Sequence, residues 1–423
     1  MNYPDSVRFL YSLGNEIKTA KLGLERIRTV LKAMGDPQSS CRFVHVAGTN
    51  GKGSTCAMIE AGLRFAGVRT GLFISPHLVE PTERIQVDGS PVAAAEFAAA
   101  FDRVHEASEA LLREGSIDAH PTYFETVTAM AFLLFREKGV DTVVLEVGLG
   151  GRLDATNVVE PRVSVITPVD FDHEALLGST LEAIAGEKAG ILKRGAPAVF
   201  SQQRREAETV LAARAADLGI PVARTNEWSI EQLEIDARGS RFSARREEQP
   251  ADQQLGVTCP LAGRHQVENA LTAAVALRQL GVKPDGIAQA RWPGRLERVW
   301  LRPEILLDGA HNPAGARALA AYIAEFYRGR RVRLVFGAMR DKSIEEIAGI
   351  LFPLAEELIF TAPNSQRALR PAALLEMPRR GPARVVATVA EAIEMAREAP
   401  PDDAVFVTGS LFLAGEARAL LVQ

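Results

Sequence analysis

Apolar positions in the first two hundred residues follow two alternating rhythms. Short β-branched runs predict strands at "RFVHVAG" (42–48), "RTGLFIS" (69–75), "DTVVLEVG" (141–148), "RVSVITPV" (162–169) and "APAVFS" (196–201). Between them, apolar residues at three- and four-residue spacing predict helices over "KGSTCAMIEAGLRFAG" (52–67) and "YFETVTAMAFLLFREKG" (123–139). A further helix runs from a capping box, Ser179 with Glu182, to Lys193 at its end. Its apolar stripe is Leu181, Ile184, Ala185 and Leu192, and Lys188 falls in that stripe, where an ammonium is out of place. Strand–helix alternation of this kind predicts an α/β fold with a mostly parallel sheet and helices on both faces.

The rhythm changes at about residues 225–260, where "WSIEQLEIDARGSRFSARREEQP" is polar and weakly alternating and predicts hairpins or an insertion at the sheet edge. An amphipathic helix follows at "GRHQVENALTAAVALRQLG" (263–281), and "RWPGRLERV" (291–299) then supplies the Pro and Gly of a boundary. Beyond it the alternation restarts: strands at 304–311, 331–339, 357–363 and 403–410, and helices through "ARALAAYIAEFYRG" and over 343–357. The chain thus reads as an N-terminal domain over residues 1–293 and a smaller C-terminal α/β, Rossmann-like domain over residues 294–423.

Composition narrows the function classes. A chain of 423 residues, 47% hydrophobic and 24% charged, fits two globular domains. A net charge of −4 supplies no general attraction for nucleic acid or anionic membrane, so an acidic ligand must meet local positive charge. Cys41, Cys56 and Cys259 are scattered, without a C-x-x-C pair, which argues against a disulfide framework or a cysteine zinc site and suits a reducing cytoplasm. The N-terminal residues lack the apolar core of a signal peptide, and the apolar run 129–135 is too short to span a bilayer.

The loop "AGTNGKGST" (47–55) joins a strand to a helix, where Gly48, Gly51 and Gly53 let backbone N–H groups turn toward a phosphate. Lys52 adds a point charge, and Ser54 or Thr55 can place a hydroxyl on Mg²⁺. The strict P-loop pattern is broken, because Val46 replaces its first glycine and Gly53 separates Lys52 from Ser54. In "EVGLGGRLDATN" (146–157) Leu153 occupies the third glycine's place of a dinucleotide fingerprint, which excludes that reading. What remains is Glu146 at a strand end and a loop bearing Arg152 and Asp154. Ligands of open parallel sheets bind at the carboxyl ends of the strands. One crevice there could gather Lys52, Ser54, Ser75, Glu146, Asp170, Asp172 and His173, an oxygen-rich set suited to Mg²⁺ with ATP or GTP. Further along, "DGAHNP" (308–313) and "VTGS" (407–410) are strand ends with polar side chains, and Arg295 stands at the presumed hinge, where a guanidinium can meet a phosphate.

Together these segments resemble the folylpolyglutamate synthase and dihydrofolate synthase family, a branch of the Mur-type ligases. The resemblance runs nearly end to end: "LGLERI" (22–27), "AGTNGKGS", "SPHL" (75–78), "ERI" (83–85), "TYFE" (122–125), "LEVGLGGRLDATN" (145–157), "DHEALLG" (172–178), "EKAGILK" (187–193), "HQVENA" (265–270), "PGRLE" (293–297), "DGAHNP" and "TGSLFLAGE" (408–416). It implies that Asn50, Gly51, Lys52, Gly53 and Ser54 hold the ATP phosphates, with Asn269, Arg295 and Asp308 reaching the nucleotide. It assigns Ser54, Ser75, Glu146 and His173 to Mg²⁺, with two ions expected, and Lys52, Glu146, His173 and Lys188 to catalysis. Lys188 would be carbamylated by CO₂ and serve as an acid surrogate, an anion beside the second Mg²⁺.

Gly23, Leu24, Glu25, Arg26, Thr122, Tyr123, Phe124, Asp154 and Ala155 match segments that line the pterin pocket, and His311 and Ser410 match positions for the incoming glutamate or the nucleotide. The implied activity is ATP-dependent addition of L-glutamate to a folate or pteroate carboxylate through an acyl phosphate, by a cytoplasmic monomer. The rival readings are a Mur-type ligase acting on a cell-wall nucleotide precursor, a small-molecule kinase or NTPase, and a nucleotide-binding protein without catalysis. Pro168–Val169–Asp170 departs from the family pattern and leaves the role of Asp170 open.

Overall fold

A computed structural model of the chain describes residues 1–14, 23–246 and 254–422; Leu22 of "LGLERI" and residues 247–250 of the polar stretch lie outside them. The chain divides into two compact units.

The first unit comprises Met1–Glu231, Phe242–Val257 and Glu268–Ala290. Its sheet has eight strands: β1 (Arg42–Ala47), β2 (Thr70–Phe73), β3 (Ile85–Val87), β4 (Ser90–Pro91), β5 (Thr142–Glu146), β6 (Val163–Ile166), β7 (Ala198–Phe200) and β8 (Val222–Arg224). Side by side they run β4-β3-β2-β5-β1-β6-β7-β8. The six from β2 to β8 in that order are parallel, and β3 and β4 add an antiparallel edge. The helices are α1 (Tyr3–Ser12), α2 (Glu25–Ala33), α3 (Lys52–Phe65), α4 (Ala94–Arg113), α5 (Tyr123–Glu137), α6 (Glu174–Leu177), α7 (Leu181–Ala189), α8 (Arg205–Leu218) and α9 (Arg264–Gln279), the last belonging here from Glu268 onward.

Alternation along the strands explains the layering. Phe43, Phe73, Val143 and Leu145 face one way into a core shared with Phe132 and Phe135 of α5 and Phe101 of α4. Their buried neighbours Val44, Leu72 and Val144 face the other way, and α3 packs against β1, β2 and β5. A side chain on Gly62 of α3 would strike Leu277 of α9, so the absence of a Cβ sets how closely these helices approach.

Residues predicted as hairpins or an edge insertion form a separate three-stranded sheet rather than an edge of the large one: β9 (Ser229–Ile235), β10 (Ser240–Arg245) and β11 (Leu255–Cys259) lie in the order β11-β10-β9, and β9 and β10 are a hairpin turned at Asp236–Gly239. The helix bearing Lys188 also departs from expectation. Its cap is Thr180, not Ser179: Thr180 is extended (φ −125°, ψ 152°) and its hydroxyl accepts from Ala183 N at 3.2 Å. The helix stops at Ala189, because Gly190 packs against Arg152 and the chain tightens into turns, so Lys193 lies beyond the helix.

The second unit comprises Gln232–Arg241, Thr258–Val267 and Arg291–Gln423. Its sheet contains β12 (Glu297–Leu301), β13 (Glu304–Leu307), β14 (Val332–Phe336), β15 (Glu357–Phe360), β16 (Ala383–Val385) and β17 (Ala404–Thr408), in the order β12-β13-β17-β14-β15-β16. Only β12 is antiparallel. Helices α10 (Pro313–Phe326), α11 (Ile344–Leu351), α12 (Val389–Arg397) and α13 (Leu411–Leu421) complete it. The helix expected over 343–357 ends at Leu351, because Pro353 interrupts it in a short 3₁₀ turn and β15 begins at Glu357. No helix among the described residues is long and apolar enough to cross a membrane.

Two segments of the first unit are tied by one buried ion pair. "TYFE" is a capping box: Thr122 Oγ1 accepts from Glu125 N (3.2 Å) and Glu125 Oε2 accepts from Thr122 N (2.8 Å). The same Glu125 oxygen accepts from Arg26 Nη1 at 3.1 Å, joining α2 to the start of α5. We expect Glu125→Ala to lower stability by about 2 kcal/mol, through loss of the cap and of the closer carboxylate partner of Arg26, which keeps Asp118 at 3.7 Å. Denaturant unfolding followed at the first unit's transition checks this, and Arg26→Met in the same background should recover part of the loss.

Candidate active site

Four strands deliver their carboxyl ends to one edge of the first sheet. β1 leads through Gly48–Gly51 into α3, which begins at Lys52. Gly51 has φ 83°, a left-handed conformation, and a Cβ there would clash with Asn269 Oδ1. The Asn269 side chain of α9 therefore lies directly against the loop. A Cβ on Gly48 would likewise clash with Thr167, which follows β6. Thr49 N and Asn50 N donate to Pro168 O at 2.9 and 3.3 Å, and Thr49 Oγ1 donates to Asp170 O at 2.9 Å. The loop after β1 is thus hydrogen-bonded to the loop after β6. Lys52 Nζ folds back to Gly48 O and Thr49 O, 3.2 Å each, and Ser54 is buried in the first turn of α3.

From β5, Glu146 is 4% exposed, and its Oε2 accepts from Ser75 N, just past β2, at 3.0 Å. The structure so brings Ser75 and Glu146 into contact. Past β6, His173 has a left-handed backbone (φ 54°) and opens α6, with its Nε2 3.9 Å from Asp172 Oδ2. Asp170 is turned elsewhere: its Oδ1 accepts from Phe171 N (2.9 Å) and lies 3.7 Å from Arg204 Nη1. A carboxylate facing an arginine accounts for the extra negative charge at the position where the family pattern is broken.

The loop after Glu146 is organised by Asp154. Its Oδ2 accepts from Gly148 N (3.1 Å) and Leu149 N (2.9 Å), and its Oδ1 accepts from Thr156 N (3.0 Å) and the Thr156 hydroxyl. Thr156 Oγ1 in turn lies 2.9 Å from His45 Nε2, a buried imidazole whose pKa burial lowers to about 3. Burial raises the Asp154 pKa, against the hydrogen bonds that favour its anion. Arg152 N then donates to Glu187 O (2.8 Å), and Arg152 pairs with the Glu187 carboxylate (2.8 Å), which seats this loop on α7 beside Lys188.

Lys188 is buried, 4% exposed, on the inner face of α7. Burial lowers its pKa to about 7; the Lys52 charge lowers it further, while Asp172, Asp154 and Glu187 oppose the shift. An amine neutral near pH 7 is a nucleophile, which an ordinary surface lysine is not.

Tyr123, a pterin-pocket candidate, lies in a cluster with Arg84, His77 and Tyr11, none of which the sequence singles out as a site residue. Arg84 Nε donates to His77 Nδ1 (2.8 Å) and Arg84 lies 4.9 Å over the Tyr123 ring. Tyr11 stacks on Tyr123 with centroids 5.6 Å apart, and its hydroxyl is 3.2 Å from His77 Nε2. Phe124 packs against Phe73 and the Gly148 backbone. Gly23 and Leu24 lead into α2, which Glu25 and Arg26 begin, while Ala155 is buried just past Asp154.

In the second unit the carboxyl edge collects the remaining candidates. Asp308 ends β13, accepting from Leu296 N and Ala310 N, each at 3.0 Å; burial raises its pKa and the Arg295 charge opposes that. Arg295 Nη1 donates to Gly294 O (3.0 Å). His311 Nδ1 lies 2.8 Å from Gly309 O, and Asn312 caps α10 by accepting from Gly315 N (2.8 Å). The Ser410 hydroxyl accepts from Leu413 N (3.0 Å), capping α13, and Gly409 N donates to Ala310 O (3.1 Å), which joins the Ser410 loop to the His311 loop.

A parallel sheet whose carboxyl edge gathers a glycine loop, a lysine, a carboxylate and an imidazole defines an α/β enzyme of the phosphate-handling class. A model of the Mur ligase middle domain matches residues 46–277, and one of the Mur ligase glutamate ligase domain matches residues 294–411. A Bacillus subtilis dihydrofolate synthase/folylpolyglutamate synthase is 35% identical, covering 94% of each chain. A probable bifunctional folylpolyglutamate synthase/dihydropteroate synthase of Haloferax volcanii is 38% identical over 99% of this chain, which spans 50% of that longer protein. The structure of Mycobacterium tuberculosis folylpolyglutamate synthase complexed with ADP and AMPPCP superposes with a TM-score of 0.89 at 33% identity, covering 100% of this chain and 99% of that one. The chain belongs to the Mur ligase family, in the branch of the folylpolyglutamate and dihydrofolate synthases.

The Lys188 site has a pH signature. With a folded pKa near 7 and an unfolded one of 10.5, the unfolded chain binds the extra proton between those values. Stability therefore rises with pH across that window, and the penalty is complete below about pH 7. Replacing Lys188 by Met should remove this slope and, in CO₂-depleted buffer near pH 7, raise stability by a few kcal/mol, at ~1.4 kcal/mol per pH unit. Thermal unfolding across the window measures both effects.

Proposed function

We propose that the chain is an ATP-dependent acid–amino-acid ligase that joins L-glutamate to the carboxylate of a folate or pteroate. The observation that carries the reading is the meeting of the Lys52 loop, Ser75, Glu146, Asp172 and His173 at one sheet edge, in a chain that matches both Mur ligase domains. On this reading residues 1–293 bind ATP and folate, and residues 294–423 contribute Arg295 and Asp308 to the nucleotide and His311 and Ser410 to glutamate.

The α3 N-terminus and the backbone amides of Asn50 to Ser54 receive the ATP phosphates, and Lys52 unfolds from its own loop carbonyls to meet their charge. Asn269, lying against Gly51, fixes the loop from the far side. The oxygen donors Ser54, Ser75 and Glu146, with His173, fit Mg²⁺, a hard cation that when bound offsets phosphate charge. The substrate carboxylate attacks the γ-phosphorus to give an acyl phosphate and ADP; the glutamate amine then attacks the acyl carbon and inorganic phosphate leaves. Arg26, Tyr123, Phe124 and the Asp154 loop supply the wall for the pterin. The same reading makes the enzyme a cytoplasmic monomer.

The neutral fraction of Lys188, present because its pKa is about 7, would add its amine to CO₂ and lose a proton, which leaves a carbamate anion near Lys52 able to support a second Mg²⁺. In bicarbonate, intact mass should show one added carboxyl on Lys188, and Lys188→Ala should abolish turnover. A plain amine in a fully active enzyme contradicts that role.

Purified protein should release phosphate from Mg-ATP only when dihydropteroate or tetrahydrofolate and glutamate are both present. Lys52→Ala and Glu146→Gln should each lower kcat at least ~100-fold. Turnover without an amine acceptor would mean a kinase or NTPase, and turnover with a cell-wall precursor alone would place the chain in another Mur branch.

A further inference from the structure

Away from the sheet edge, α4 and the segment after it carry a group of side chains the proposed reaction does not use. His105 and Glu109 stand four residues apart on α4, so both project from one face. His120, between α4 and α5, turns its ring toward them: His105 Nδ1 and His120 Nε2 are 3.2 Å apart. One donor atom from each of the three residues lies within 4.8 Å of the others.

The local hydrogen bonding decides which nitrogen presents a lone pair. His120 Nδ1 is 3.0 Å from Pro121 O. A carbonyl only accepts, so Nδ1 carries the proton and Nε2 is left as the acceptor facing His105. Metal-bound imidazoles are oriented in the same way, by a second-nitrogen hydrogen bond to a carbonyl or carboxylate. Aromatic packing holds both rings. Phe9 meets His105 and His120 edge-on at 4.7 and 5.5 Å, and Phe101 stacks on His105 at 5.5 Å with an interplanar angle of 10°.

We propose that His105, Glu109 and His120 form a binding site for a divalent transition-metal ion of the zinc type. Two nitrogens each about 2.0–2.1 Å from a tetrahedral ion are roughly 3.3 Å apart, so the two rings already stand at ligand spacing. Two imidazoles and one carboxylate favour zinc over Mg²⁺, which prefers oxygen throughout. The exposed Glu109 side chain has the freedom to close on the ion, and water completes the set. Binding requires only that the proton between the rings leave His105 Nδ1, either to solvent or by tautomeric shift to Nε2. The bound ion fastens to α4 the segment that carries Asp118, which is 3.7 Å from Arg26, and leads to the Thr122 cap of α5. None of the three ligand side chains belongs to the proposed ligase site.

Metal-free full-length protein, kept in millimolar Mg²⁺ to occupy oxygen sites, is titrated with ZnCl₂ by calorimetry and equilibrium dialysis. We expect one equivalent of zinc that is lost in the His105→Ala/His120→Ala double variant and bound at least tenfold more weakly by Glu109→Gln. Anomalous scattering from zinc-soaked wild-type crystals needs no variant and should place the ion between the two imidazoles. No zinc uptake, uptake unchanged in the double variant, or an ion elsewhere overturns the proposal and leaves His105 and His120 as a hydrogen-bonded pair only.

Discussion

Strand β1 is hydrogen-bonded to β5 on one side and β6 on the other, and all three run parallel. That pairing forces the Gly48–Gly51 loop, Glu146 and the Asp170–His173 segment to leave the sheet at the same edge, and β2 beside β5 adds Ser75. Such a sheet must be covered on both faces, and burial of Phe43, Phe73 and Leu145 on one side and Val44 and Val144 on the other makes the order costly to change. The polar groups at the edge are therefore held both by this apolar frame and by hydrogen bonds among the loops, such as Ser75 N to Glu146 and Thr49 N to Pro168 O. Preorganisation of that kind lets a phosphate-handling site act without first rearranging its backbone.

Within this frame, positive charge is concentrated where anions are to be handled. Lys52 begins α3, and Lys188 on α7 is disfavoured as an ammonium first by its burial and then by the Lys52 charge. A second ammonium beside Lys52 is unfavourable, and burial brings Lys188 to a pKa of about 7, against the opposing charges of Asp172, Asp154 and Glu187. Asp154 acts nearby as an architect: its carboxylate is occupied by backbone amides of Gly148, Leu149 and Thr156. It thereby shapes the loop that carries Arg152 and against which Phe124 of α5 packs at Gly148.

Local patterns in the sequence carried much of this. β1, β2, β5 and β7 appear within a residue or two of where β-branched runs predict them, β6 ends three residues before its run does, and the buried position of Lys188 is legible from the spacing of Leu181, Ile184 and Ala185. Non-local pairings were not legible. The T-x-x-E box at Thr122 is written in the chain, but its union with Arg26 spans 99 residues. Asp170 is in plain view, yet its Arg204 partner arrives from beyond β7. His105 and Glu109 are a visible pair at four-residue spacing, whereas the return of His120 depends on the turn after α4 and on packing against Phe9. The short, exposed β16 offers no apolar alternation to read, and competing caps such as Ser179 and Thr180 are decided by which register buries the stripe.

The proposed reaction requires that a substrate carboxylate be activated by phosphoryl transfer at this edge before the amine attacks. Labelling both oxygens of that carboxylate with ¹⁸O and analysing the phosphate released from Mg-ATP and glutamate tests it directly. Attack of the carboxylate on the γ-phosphorus, followed by departure of phosphate from the acyl carbon, carries one labelled oxygen into each phosphate and leaves one in the amide. Phosphate free of label, formed alongside the same amide, would contradict the account.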